Sequence, residues 1–170
     1  MTSSAYQLVY ADFYASYVQL AASDDLIKTL KKNRKKLLSL LAAIPSSKIN
    51  YAYAAGKWTV KQMLQHMIDA ERVFAYRALR IARFDTTPLP GFDENAWAEK
   101  ADVTARGWND MIKEFSELRK SNIRMISQFN KEQLAAEGTA SGQTVSAAAL
   151  CFVMAGHVKH HMNILQERYL

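Results

Sequence analysis

The sequence predicts an all-α protein, a four-helix bundle forming one domain over residues 1–170. Three observations predict it. Apolar residues recur at three- and four-residue intervals through four long segments. Those segments are bounded by helix-capping residues, proline or glycine. No stretch alternates apolar and polar residues with β-branched enrichment, so no sheet is expected. About half of the 170 residues are apolar, enough for a substantial core in a domain of ordinary size.

Residues 1–22 are rich in Tyr and Ala and are expected to be partly helical and packed on the bundle. Ser23 is a good N-cap, and Asp24 and Asp25 after it suit the positive end of a helix. The first long helix then runs to about Ile44, where Pro45 stops it. A loop over 45–58 follows, marked by Ser46, Ser47, Asn50 and Gly56. Thr59 to Gln62 reads as a capping box that opens a second helix through about Phe84. Met63, His66, Met67, Ala70, Val73, Phe74 and Arg77 share its inner side. The Pro88-Leu89-Pro90-Gly91 run forces a loop, and a short turn is expected at 94–99. Thr104 is positioned to cap a third helix ending near Phe129, with one further turn at 132–137. A small-residue loop spans 138–142, and Thr144 is expected to cap the last helix. Four helices with connections of unequal length imply an antiparallel bundle with at least one longer crossover.

The formal charge of +6 invites a nucleic-acid reading, but its source weakens that reading. Much of the charge comes from Lys28, Lys31, Lys32, Arg34, Lys35 and Lys36, set around an apolar stripe of Leu26, Leu30, Leu37 and Leu41. That is the pattern of a solvated helix face. No nucleic-acid motif and no aromatic platform accompany it, so no nucleic-acid partner is expected. Nothing around Met1 to Ala5 looks like a signal peptide, and no apolar run approaches the roughly 18 residues of a membrane span. A soluble, cytoplasmic protein without a membrane partner is the expectation. Cys151, the only cysteine, excludes an internal disulfide and sits in an apolar run as a small buried hydrophobe.

The four histidines are His66, His157, His160 and His161. His157 and His161 are four residues apart, so they lie about 40° from each other around a helix and one turn apart along it. His66 shares a face with Met63, Met67 and Ala70. A buried imidazole left unpaired costs about 1–3 kcal/mol, so each needs a partner. A shared metal ion would satisfy all of them; separate hydrogen bonds in the core would do so too. His157 and His160 also share one side, and spacing alone leaves these readings open.

The segment Lys57-Trp58-Thr59-Val60-Lys61-Gln62-Met63-Leu64-Gln65-His66, followed by Asp69, Glu71 and Arg72, resembles the DinB family, the DinB/YfiT-like superfamily of four-helix-bundle metalloproteins. So do Pro88-Leu89-Pro90-Gly91-Phe92-Asp93-Glu94 and Gly156-His157-Val158-Lys159-His160-His161, and the resemblance runs in order over nearly the whole chain. It implies an up-down-down-up bundle and a divalent metal held by His66, His157 and His161, with His160 turned elsewhere. It implies zinc or nickel, less often iron or manganese, and a homodimer. It implies a small-molecule substrate. Some relatives are transferases or isomerases using low-molecular-weight thiols such as bacillithiol, mycothiol or glutathione; others are described as metal-dependent hydrolases.

Three protein nitrogens would leave a coordination position open, as catalytic rather than structural zinc does. A metal-dependent enzyme is therefore expected, with a non-enzymatic metal-binding or stress-response bundle as the alternative. Asp69, one turn beyond His66, could orient a ligand ring or a bound water, or be an ordinary surface carboxylate. Arg77, about 16 Å along the helix from His66, could bind an anionic group, though an ion pair with Asp93 or Glu94 is the better expectation. Trp58 is expected to anchor the loop rather than line a pocket. Glu71 should face about 140° away from His66 and is not a ligand.

Overall fold

The structure, a computed structural model, describes residues 5–170. Met1 to Ser4, part of the stretch read above for a signal peptide, lie outside the described residues. Eight α-helices and one hairpin follow in order. They are α1 (Asp12–Ala21), α2 (Leu26–Ala42), α3 (Ser46–Ile49), α4 (Val60–Ala82), α5 (Glu94–Lys100), α6 (Trp108–Ile126) and α7 (Lys131–Ala135), then β1 (Glu137–Ala140), β2 (Gln143–Ser146) and α8 (Ala147–Ile164). A π-helical turn, Leu165–Tyr169, ends the chain.

The long helices α2, α4, α6 and α8 form the four-helix bundle. α2 and α4 each pack on both α6 and α8, and α1 lies along α8 as a fifth helix. This explains why α8 is buried almost all round, from Ala147 to Val158. Leu26, Leu30, Leu37 and Leu41 of α2 turn inward while its lysines stay exposed, so the basic run is a solvated face as expected.

Local chemistry corrects several expected boundaries. Asp25, not Ser23, caps α2 by accepting from the Lys28 amide at 2.8 Å, and Ser23 bonds to Thr29 instead. Thr104 does not cap α6: it sits in a turn held by Asp102, and α6 begins after Gly107. Ser146, not Thr144, caps α8 by accepting from the Ala149 amide. Residues 137–146 form an antiparallel hairpin where a loop over 138–142 and then the start of the last helix were expected, with Ala140 opposite Gln143. Its two-residue connection, Ser141 and Gly142, has φ of 54° and 74°. Two positive φ values are what a type I′ hairpin turn requires. Four-residue strands with one half-exposed face are too short for period-two patterning to show.

The core falls into two apolar clusters. One gathers Leu30, Phe74, Ile123 and Leu150; the other gathers Leu37, Met67, Phe115 and Val158. A polar layer lies between them. Glu71 of α4 and Arg119 of α6, almost fully buried, form a two-pronged ion pair at 2.6 and 2.8 Å. Arg119 also donates to Asn33 of α2 and to the Met154 carbonyl of α8, and Asn122 donates to Glu71. All four bundle helices meet in this one network.

Candidate metal centre

Helix α4 brings His66 to the site, and its start is fixed by the capping box of Thr59 and Gln62, as the sequence predicts. Helix α8 brings His157 and His161. Gly156, just before them, lets α1 approach: a Cβ there would lie 1.8 Å from the Tyr17 carbonyl oxygen. The close crossing brings the α1 side chains Tyr14 and Tyr17 to the histidine cavity.

The three ring nitrogens converge. His157 Nε2 lies 2.9 Å from His66 Nε2 and 3.1 Å from His161 Nε2, and one donor atom from each ring falls within 4.8 Å of the others. A tetrahedral ion with metal–nitrogen bonds of 2.0–2.1 Å would space its ligand atoms by roughly 3.3 Å, so the cluster fits one with small adjustments. Burial lowers the pKa of all three rings, His66 to about 4 from an ordinary 6.5 and the other two well below it. Neutral rings carry lone pairs at physiological pH. Three neutral rings cannot satisfy one another, because the central Nε2 has either one hydrogen or one lone pair for two neighbours. A cation accepting three lone pairs resolves that frustration. Among the described residues His161 Nδ1 has no partner either.

A cavity of about 250 Å³ opens over the cluster, walled largely by aromatic rings including Tyr17, Phe74 and Phe92. Trp58 belongs to it: its ring stands 4.7 Å from that of His66. Pocket lining, the less favoured expectation, is the outcome, and Trp58 anchors the loop as well, since its carbonyl accepts from Tyr169 of the π turn at 2.6 Å. His160 is half-buried, lies edge-on to Tyr17 and lines the cavity, outside the convergent set of three. Asp69 is bonded to Gln65 at 2.9 Å, pairs with Arg72 and lines a neighbouring cavity instead. Arg77 does not pair with Asp93 or Glu94: it donates to the Pro90 carbonyl at 2.6 Å and to Ser141 Oγ at 3.0 Å. Glu71 faces the interior network, away from the histidines. Cys151 is fully buried, and burial pushes its thiol up to about 12, so it is no nucleophile.

Sequence reasoning named Glu94 only as an ion-pair partner for Arg77 and did not single out Tyr14, Tyr17 or Ser141. Glu94 lines the cavity and acts electrostatically on His66 and Tyr17. Its signal was position: it follows Asp93, whose side chain caps α5, and that cap sets the helix at the cavity rim.

The comparisons with known proteins bear on the fold and the family. Over 80 residues the chain is 29% identical to "Putative metal-dependent hydrolase YfiT" of Bacillus subtilis (strain 168), a match covering 46% of this chain and 44% of that protein. The alignment thus spans less than half the length of this curated relative. The solved structure of YfiT from Bacillus subtilis, described as a "probable metal-dependent hydrolase with an unusual four-helix bundle topology", matches with a TM-score of 0.76 at 20% identity. That match covers 85% of this chain and 83% of the other. The family model of the DinB superfamily matches residues 29–165, a span that contains α4, α6 and α8, all but the first three residues of α2 and all three converging histidines, and the chain belongs to that superfamily.

Proposed function

We propose that the protein is a metal-dependent enzyme that holds one divalent ion with His66, His157 and His161 and acts on a small molecule in the adjoining cavity. The convergence of three neutral, buried ring nitrogens beside an open cavity carries this reading. When bound, a divalent ion at such a site supplies Lewis acidity and makes a water or thiol that reaches it more acidic. The residues around it do the rest. Trp58 and Phe74 exclude bulk water from the donor face, and the Glu94 carboxylate, which lines the cavity, would accept the proton given up by the entering water or thiol. Hydrolysis is the favoured chemistry, in line with the name of the Bacillus relative. Thiol transfer is the second reading, favoured by the aromatic walls, which suit a soft, weakly hydrated sulfur better than a charged nucleophile. Zinc or nickel suits an all-imidazole set. A homodimer in the cytoplasm is the proposed state.

Cobalt-substituted protein tests the open position. Its visible spectrum should change on adding glutathione or acetohydroxamate, and a spectrum indifferent to both would favour a closed, non-enzymatic metal store. A substrate panel run with and without thiol then separates transfer from hydrolysis. Glu94→Gln should retain metal and lose turnover by roughly 10²-fold or more, the usual scale of general acid–base assistance.

A further inference from the structure

We infer that the histidine cavity has a built anion subsite, formed by Arg77 and Tyr14 and braced by Ser141, that takes the carboxylate of the substrate. The inference deepens the enzymatic reading above by naming a substrate class.

Arg77 is only 3% exposed, yet no carboxylate pairs with it among the described residues. A buried cation without a counter-charge is costly unless something supplies one. Its two recorded bonds, to the Pro90 carbonyl and Ser141 Oγ, both use Nη2. Nε and Nη1 make no hydrogen bond among the described residues and are not sealed from solvent. Tyr14 is the independent second observation. It is 1% exposed, lines the same cavity, and its hydroxyl has no partner among the described residues. The hydroxyl also lies within electrostatic reach of the Arg77 guanidinium. A buried hydroxyl without an acceptor and a guanidinium without a counter-charge, at the wall of one cavity, define a place for an oxyanion.

The brace accounts for the hairpin. Ser141 holds a left-handed conformation, φ 54°, that serine seldom adopts. The Leu89 amide donates to Thr139 and the Ser141 amide donates to the Leu89 carbonyl, which ties the 86–92 loop to the hairpin. Pro90 and Ser141 thereby grip Arg77 from two sides. Strain of this kind persists where surrounding structure over-determines it, often at ligand clamps.

A carboxylate fits better than a phosphate monoester. One guanidinium neutralises one charge, whereas a phosphate monoester carries nearly two at neutral pH. The guanidinium fork matches a carboxylate in two-pronged geometry. Because α4 side chains lean toward the helix N-terminus, Arg77 reaches back toward His66. The substrate would therefore be a small, extended molecule with its carboxylate at Arg77 and its reactive group several bonds away at the histidines. The aromatic walls suit an apolar middle.

Binding of 3-phenylpropanoate, its neutral amide and phenyl phosphate is to be measured by calorimetry on chelator-treated protein, so that no metal offers the carboxylate a ligand position. The carboxylate should bind at least tenfold tighter than the amide and tighter than the phosphate. Tyr14→Phe should weaken the carboxylate severalfold without lowering Tm, because that hydroxyl makes no bond in the fold; Arg77→Met should abolish the preference. Equal binding of acid and amide, an unchanged Tyr14→Phe, or no binding of the acid would overturn the subsite and leave the two donors to an ordered water. A phosphate preference would overturn the carboxylate assignment. A protein that takes the acid but no metal would sink the metal reading and spare this one.

Discussion

At the residue scale the histidines set the pH behaviour. In the folded, metal-free protein His66 titrates near 4, against 6.5 ordinarily, because burial disfavours its cation. Protons therefore bind the unfolded chain more readily than the folded one between those values, and stability falls as the pH drops through that window. The contribution is fully present above about 6.5, and His66 alone accounts for roughly 3 kcal/mol across the full window. Urea unfolding of chelator-treated protein from pH 7.5 to 4.5 should show this slope, and His66→Phe should reduce it, leaving the part that His157 and His161 contribute. A wild-type profile that is level over the range would mean the rings are not buried as neutral donors. Which residues surround the histidines was less legible than the histidines themselves. Resemblance pointed to His66, His157 and His161, whose spacing is distinctive. Tyr14 and Tyr17 sit on a helix outside the bundle, and no local periodicity says which cavity such a helix overlies.

At the scale of elements, the crossing of α1 over α8 depends on Gly156. A methyl group there would sit 1.8 Å from the Tyr17 carbonyl oxygen, and backbone cannot yield as a flexible side chain does. Gly156→Ala should therefore cost about 1–3 kcal/mol or more and push α1, with Tyr14 and Tyr17, off the cavity. A thermal melt reads the first effect and loss of 3-phenylpropanoate binding the second; an unchanged melt would show that α1 packs elsewhere. The elements read most accurately from sequence are those whose signals are local. The Thr59–Gln62 box and the inward leucines of α2 appear where expected. The caps at Asp25 and Ser146 were missed by two residues each, because several capping types stand side by side at both places. The hairpin was missed because its strands are short and its turn carries Ser141 where Asn or Gly would have advertised it.

At the scale of the whole molecule, the Glu71–Arg119 network ties α2, α4, α6 and α8 together. Removing one partner strands a buried charge, at a typical cost of 3–5 kcal/mol. Arg119→Met or Glu71→Leu should each destabilise the protein strongly, while the two together should recover much of the loss. Denaturant titration of the four proteins as a cycle decides it; additive losses would show that the pair acts independently. This network was invisible in the sequence because its members run from Asn33 to Met154 over four helices, and no local pattern relates them. The bundle itself was legible, since helix periodicity is a property of each segment alone. On the proposed reading, the whole fold delivers one cation site assembled from two distant helices. Metal analysis of protein purified without a histidine tag addresses that claim most directly. The account predicts close to one divalent ion per chain, lost in His66→Ala, His157→Ala and His161→Ala and kept in His160→Ala; metal-free wild type after incubation with zinc and nickel, or metal retained by all three ligand variants, would contradict it.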